Sequence, residues 1–146
     1  ESGQTDEKIL KKFLSDPYSK KKFPKSLDVK YFNLQNLNKL SLEDGCATLS
    51  MLTAETICLA INNFKNTPNK ILFSGGGRKN DFIIDSIEEI LKKKVYLIDE
   101  FNFNGDFIES QAFAYLAIRS YLKKIISLPS TTGVKKPCSG GVIYKN

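Results

Sequence analysis

Histidine is absent from this sequence of 146 residues, and cysteine is scarce. Without histidine, the chain cannot use Ser-His-Asp or Cys-His mechanisms, and it lacks the commonest metal-binding side chain. The three cysteines, Cys46, Cys58 and Cys138, show no C-x-x-C spacing, so neither a zinc site nor a disulfide framework is indicated. Cys46 and Cys58 fall on an apolar helical pattern, which predicts that both lie in the core. Any chemistry must therefore use carboxylates, lysine or arginine.

Long apolar runs are absent as well. No run approaches the roughly 20 residues of a membrane-spanning helix, and residues 1–12 are too highly charged for a signal peptide. These absences predict a cytoplasmic protein without a membrane partner. Because the first residue is Glu1 rather than methionine, we expect a fragment or a processed product.

Positive charge is in excess but is not concentrated on one face. The net charge is +6, and lysine runs occur at 20–22 and 92–94, where turns are expected. A nucleic-acid-binding protein should combine a basic face with stacking aromatic residues. These runs are more typical of solvated loops, so no nucleic-acid partner is predicted.

The segment Lys70–Asn80, K-I-L-F-S-G-G-G-R-K-N, is the most informative stretch of the chain. Its apolar run Ile71–Phe73 predicts a buried strand, and three glycines at the end of a strand allow a sharp turn and close approach of a ligand. Residues Asp81–Leu91 then predict an amphipathic helix, with Asn80 or Asp81 as its N-cap. A helix N-terminus attracts phosphate and polar groups, so the pattern suggests a nucleotide loop. It lacks both G-K-[ST] and G-x-G-x-x-G, and a simple connecting turn is an equal alternative.

The remaining elements predict one α/β domain over residues 1–146. Residues 1–40 form a short helix and an irregular basic segment, and residues 41–146 form the α/β core. A long helix is expected from Ser41 to about Asn63, with Asp44 completing a capping box. A second strand at Val95–Ile98 gives a parallel strand-helix-strand unit. A further helix begins at Asp106 with small residues that allow close packing, and a last strand is predicted at Val142–Tyr144.

The loop Asp99–Phe107 follows the second strand, at the sheet edge where open α/β sheets bind ligands. Asp99 and Glu100 are expected to be solvated, and Asp106 is a candidate N-cap of the next helix. Glu109, in the first turn of that helix, either complements the helix dipole or binds a ligand.

The order of the motifs resembles the carboxyl-terminal part of the anhydro-N-acetylmuramic acid kinases. The resemblance covers nearly the whole chain and rests on the following motifs: P-K-S at 24–26, A-T-L at 47–49, T-A at 53–54, G-G-G-x-x-N at 75–80, G-D-x-x-E at 105–109, A-F-A-Y-L-A at 112–117 and L-P-S-x-T-G at 128–133. It implies an α/β fold that is part of an actin-like, RNase H-type ATPase domain. It also implies conversion of 1,6-anhydro-N-acetylmuramic acid to N-acetylmuramic acid 6-phosphate, with ATP and Mg²⁺, in peptidoglycan recycling.

The resemblance also implies site residues. The nucleotide-binding positions would be Gly75, Gly76, Gly77, Arg78 and Asn80, although Arg78 stands where small residues are common in the family. The sugar-binding positions would be Gly105, Asp106 and Glu109. No role follows for Lys25 or Ser26.

The family's G-T-S-x-D-G and D-T-G-P-G-N motifs do not occur in this chain. The phosphate clamp and the catalytic aspartate are therefore expected in a missing amino-terminal half, and no catalytic or metal-binding residue is predicted here. The chain alone is predicted to be inactive. An amino-terminal kinase half or a second copy of the chain is left open as a partner, and a non-catalytic remnant or binding module of the same fold is the alternative function.

Overall fold

The computed structural model describes residues 3–23, 25–28, 31, 35–64, 66 and 68–144. Pro24 of the P-K-S motif and Thr67 of the turn before the first strand lie outside the described residues. The α-helices are α1 (Glu7–Leu14), α2 (Leu42–Asn62), α3 (Asp81–Leu91), α4 (Ile108–Tyr121) and α5 (Pro129–Thr132). The strands are β1 (Ile71–Phe73) and β2 (Val95–Leu97), and short 3-10 turns occupy Pro17–Lys20, Gln35–Lys39, Gly76–Lys79 and Ile98–Phe101.

The two strands form the predicted parallel pair. Ile71 is in register with Val95 and Phe73 with Leu97, and α3 connects the two strands. This confirms the α/β fold class and the strand-helix-strand unit. Because both strands run in the same direction, the residues that follow β1 and β2 lie at one edge of the pair.

The core lies where α2 and α3 pack together over this strand pair. Ala54 and Cys58 of α2, Ile83 and Ile87 of α3, and one residue of each strand, Ile71 and Val95, form the buried cluster. The apolar residues of α3 recur at helical spacing, so one face of this helix is covered. Cys58 is buried as predicted, and its burial raises the pKa of the thiol to about 11. Cys46 is exposed, so its predicted core position is wrong.

The amino-terminal helix and the residues before it are attached to the start of α2 by hydrogen bonds from main-chain amides to side chains of α2. Asp6 caps α1, because its carboxylate accepts hydrogen bonds from the amides of the first turn. The Asp6 amide donates to the Thr48 hydroxyl at 2.9 Å, and the Gln4 amide donates to the Asp44 carboxylate at 2.7 Å. Ser41 caps α2 by accepting from the Asp44 amide at 3.1 Å. The Asp44 carboxylate therefore binds the segment that precedes α1, and it does not complete the predicted capping box.

One helix in the described part of the chain, α2, is long and apolar enough to cross a membrane. This helix does not stand out in the sequence as one long apolar run, because polar residues such as Thr53 and Glu55 interrupt the run. In this structure α2 packs against α1 and α3 and supplies five buried residues, Ala47, Thr48, Leu52, Ala54 and Cys58.

The segment from α4 to residue 144 differs from this core. None of the residues of α4 is buried by the described part of the chain, although small residues at this helix predict close packing. After α4, Ser127 and Cys138 form an isolated antiparallel bridge. Residues 142–144 are irregular and exposed, so the predicted last strand is wrong.

Candidate functional site

The three glycines form an open turn at the end of β1. Gly75 has φ +78° and ψ −173°, a backbone conformation that residues other than glycine rarely adopt. A Cβ atom at Gly75 or Gly76 would contact nothing within 4 Å among the described residues, and one at Gly77 would lie 3.7 Å from the Phe73 ring. The main chain of this turn is thus not covered by side chains, and a ligand has room to approach it closely.

Asn80 links the glycine turn to α3. Its side-chain oxygen accepts a hydrogen bond from the Ile83 amide at 3.3 Å, which makes Asn80 the N-cap of this helix. This confirms one of the two predicted N-caps. The cap holds the first turn of α3 directly beside the glycines.

The loop after β2 lies directly against the glycine turn. The Gly75 amide donates a hydrogen bond to the Gly105 carbonyl at 3.1 Å. Gly105 is buried, and a Cβ atom there would collide with the Arg78 guanidinium. A side chain at position 105 would therefore displace the Arg78 guanidinium from its place. The structure brings the predicted nucleotide and sugar segments together at one edge of the strand pair.

Arg78 connects the two segments through its whole guanidinium group. Nε donates to Asp99 at 2.7 Å and Nη1 donates to Asp106 at 2.7 Å and to the Gly75 carbonyl at 3.0 Å. Nη2 adds a second hydrogen bond to Asp99 at 3.2 Å. Only 8% of Arg78 is exposed. Its charged atoms thus face the protein. In this respect Arg78 differs from Gly75 and Gly76, with which the sequence groups it, because the turn is open at those glycines.

Two predictions for the acidic loop are wrong because of this arginine. Asp99 is not an isolated solvated residue, since it forms a two-point ion pair with Arg78. Asp106 does not cap α4, because Phe107 occupies the N-cap position and the Asp106 carboxylate binds Arg78 and Lys79. Glu100, also predicted to be solvated, is exposed but accepts a hydrogen bond from the Leu97 amide at 2.7 Å.

The ion pairs set the charges of the site. Hydrogen bonds from Arg78 and Lys79 lower the pKa of Asp106 to about 2. Hydrogen bonds from Arg78 also lower the pKa of Asp99, and the two carboxylates raise the pKa of the guanidinium group. All three groups are therefore charged at neutral pH. The described network contains two carboxylates and two cations, so these groups neutralise each other.

Glu109 differs from both aspartates. It lies in the first turn of α4 and is exposed, and it has no hydrogen-bonding or ion-pair partner among the described residues. A carboxylate in this position is available to accept hydrogen bonds from a ligand. The network thus holds the entrance of α4 in place, and Glu109 is the acidic group that stays available.

The sequence contains a signal for the Arg78 network. Arg78 follows β1 and Asp99 follows β2, so both lie at the same edge of a parallel pair. Opposite charges at corresponding ends of adjacent strands predict an ion pair. The contribution of Asp106 has no such signal, because it depends on the path of the loop 102–107.

The residues of this site fit a nucleotide better than they fit a metal ion. The uncovered glycine main chain and the capped start of α3 offer amide groups to an anionic or polar ligand. In contrast, Asp99 and Asp106 already bind cationic side chains, and the described residues include no group of three metal-binding side chains. A Mg²⁺ ion bound here would need ligands from outside these residues.

The sequence is similar to the sequences of one family of known proteins. The profile of the family described as anhydro-N-acetylmuramic acid kinase matches residues 1–146. The chain is 48% identical over 152 residues to a protein of that name from Pelagibacter ubique, and the match covers 99% of this chain and 40% of the relative. It is 44% identical over 121 residues to the protein of the same name from Zymomonas mobilis, with 83% of this chain and 33% of the relative covered.

A third relative of the same name, from Phenylobacterium zucineum, is 40% identical over 143 residues, which cover 98% of this chain and 39% of the relative. The chain thus spans about two fifths of the length of the curated relatives that it matches. Its mixed α/β architecture is that of a part of an actin-like ATPase fold. The chain belongs to the anhydro-N-acetylmuramic acid kinase family.

Proposed function

We propose that this chain supplies one wall of the active site of a cytoplasmic, ATP-dependent kinase. The kinase converts 1,6-anhydro-N-acetylmuramic acid to N-acetylmuramic acid 6-phosphate in peptidoglycan recycling. The observation that carries the proposal is the contact between the open glycine turn and the Gly105 loop. It brings the segment that we assign to the nucleotide beside the segment that we assign to the sugar, an arrangement that phosphoryl transfer between two bound substrates requires.

In this proposal the glycine turn binds the adenosine part of ATP. Gly75, Gly76 and Gly77 allow the nucleotide to approach the main chain, and Asn80 fixes the turn to α3. Arg78 is a positioning residue, because its guanidinium is buried against Asp99 and Asp106 and does not face the ligand.

The sugar contacts the start of α4. Gly105 and Asp106 hold the loop, and Glu109 accepts hydrogen bonds from sugar hydroxyl groups with its exposed carboxylate. Phosphoryl transfer also needs a group that activates the nucleophile and cations that neutralise the phosphates. We assign both, together with Mg²⁺, to an amino-terminal part that this chain does not contain, so the chain alone is inactive.

The test is reconstitution with the amino-terminal part. We expect no ATP-dependent phosphorylation of the anhydro sugar by the chain alone and measurable turnover when both parts are present. Glu109→Gln should raise the KM for the sugar and leave the KM for ATP unchanged. Glu89→Gln, at an exposed position of α3, is the matched control. Absence of turnover with both parts folded would reject the proposal.

A non-catalytic binding module of the same fold is the second candidate. The exposed apolar residues of α4 favour it, because a surface of this kind serves a binding protein as well as an enzyme part. Calorimetry with ATP separates the two candidates. Heat of binding that Gly76→Val abolishes supports the nucleotide site, because a side chain at Gly76 would fill the open space there.

A further inference from the structure

The helix α4 exposes several large apolar side chains in the described chain. Its aromatic and aliphatic side chains Phe113, Tyr115, Ile118 and Tyr121 are 65%, 59%, 61% and 69% exposed. We call these four residues the α4 surface. Monomeric proteins rarely leave a contiguous apolar patch of this kind in water. The patch therefore requires a partner.

The α4 surface is not a single stripe. At about 100° per residue, Phe113 and Tyr115 point in directions about 160° apart, and Tyr121 and Ile118 fall on the wider arc of about 200° that joins them. This arc is wider than the stripe of roughly 100° with which a surface helix faces the core. Ala112, Ala114 and Ala117 lie between the large residues and allow a neighbouring backbone to approach closely. More than one element must therefore cover this helix.

The chain after α4 extends the same surface. Further apolar side chains are exposed there: Leu122, Ile125, Leu128, Val142, Ile143 and Tyr144. The segment is held by a few contacts of its own, such as the hydrogen bond from Arg119 Nε to the Ile125 carbonyl at 2.8 Å. The exposed apolar area thus continues beyond the roughly 21 Å length of a helix of 14 residues.

The length of the relatives indicates what covers this surface. About three fifths of the Pelagibacter ubique relative lies outside the region that this chain matches. A second copy of this chain would pair its own α4 with this one through a two-fold contact, which covers one side of each helix and leaves the opposite side exposed. A larger polypeptide can surround the helix.

We propose that the α4 surface is the docking face for the polypeptide that makes up the rest of the kinase fold. The inference rests on the proposed function, because it takes the partner to be the other part of the same enzyme. It also assigns a role to Glu109. The first turn of α4 carries the sugar-binding carboxylate, so docking along this helix fixes the position of Glu109 relative to the partner.

The test is co-expression of this chain with the unmatched part of the Pelagibacter ubique relative, followed by purification through a tag on the chain. Phe113→Glu and Ile118→Glu, separately and together, introduce charge into the α4 surface and keep a strong helix former. Leu42→Glu is the matched control, since Leu42 is 79% exposed at the start of α2. Because none of these side chains is buried, the melting temperature of the isolated chain should change by less than about 2 °C.

We expect the wild-type chain and Leu42→Glu to retain the partner, and the double variant to retain at least tenfold less. Equal retention by the double variant, equal loss in Leu42→Glu, or failure of the wild-type chain to retain the partner would overturn the docking proposal. A wild-type chain that dimerises alone, and becomes monomeric with Ile118→Glu, would overturn it in favour of a second copy. If the complex forms but does not phosphorylate the sugar, the proposed function fails while the docking face stands.

Discussion

Two isoleucines, Ile87 and Ile118, summarise the difference between the two parts of this molecule. Ile87 lies in α3 and is completely buried against α2 and the strands, whereas Ile118 lies in α4 and is 61% exposed. Both helices are amphipathic or apolar by sequence, and both follow a loop at the same edge of the strand pair. The apolar composition of a helix thus indicates that other elements must cover it. Whether those elements are present depends on which part of the fold the chain contains.

Truncation of the two isoleucines tests this comparison and should give the largest difference in the free energy of unfolding. Ile87→Ala should lower the free energy of unfolding by about 2–5 kcal/mol, because it removes buried methylene groups and leaves a cavity. Ile118→Ala should change it by less than about 0.5 kcal/mol, since its side chain is largely in water. Urea unfolding followed by circular dichroism measures both. Similar losses in the two variants would show that α4 is packed in solution.

The Arg78 network joins the two parts, and its removal is expected to have the next largest effect. Arg78→Ala leaves Asp99 and Asp106 without their shared cation and with like charges near each other. We expect a lower melting temperature and faster hydrogen exchange of the Gly75 amide, which donates to Gly105 across the junction. Lys79→Ala is the control, because Lys79 is exposed and contacts Asp106 alone. An unchanged Gly75 amide in Arg78→Ala would contradict a positioning role for this arginine.

Acid should weaken the same junction. Arg78 and Lys79 lower the pKa of Asp106 from 3.8 to about 2, so the folded state favours the charged carboxylate. This contribution to stability is complete above pH 3.8 and is lost as the pH falls through about 2.

Comparison of the wild type with Asp106→Asn isolates the contribution, because other carboxylates, such as Asp44, also have lowered pKa values. The gap between the two unfolding free energies should be constant from pH 7 to about 5 and should narrow between about pH 4 and 2. Urea unfolding at several pH values provides the measurement. A gap that stays constant down to pH 2 would exclude the ion pair as its cause.

The packed part of the molecule could be predicted from the sequence more fully than the rest. The run Ile71–Phe73, the glycines and the periodicity of Asp81–Leu91 are local signals, and the structure has the strand, turn and helix at those residues. The pairing of Arg78 with Asp99 has a signal in the sequence, whereas its pairing with Asp106 depends on the path of the loop 102–107, which is a property of the fold. The strand predicted at Val142–Tyr144 failed because β propensity does not supply a neighbouring strand.

The smallest effects are expected from the helix caps. Asn80 caps α3 with its side chain, whereas Phe107 at the corresponding position of α4 makes no side-chain hydrogen bond. Asn80→Ala should lower the free energy of unfolding by about 1 kcal/mol, and Asn80→Gly by only a few tenths. Asp85→Ala, at an exposed position of α3, is the control. A similar loss in Asn80→Ala and Asn80→Gly, well above that of Asp85→Ala, would attribute the effect to contacts other than the cap.

Phe107→Asn extends the same measurement to α4. An asparagine side chain at this position can accept a hydrogen bond from the first turn, which favours the helix locally. Since α4 has no buried residue, its local stability is not coupled to unfolding of the core. We therefore expect slower hydrogen exchange of the α4 amides and an unchanged global free energy of unfolding. An equal gain in both quantities would mean that α4 unfolds together with α2 and α3, and the two parts would then be one cooperative unit.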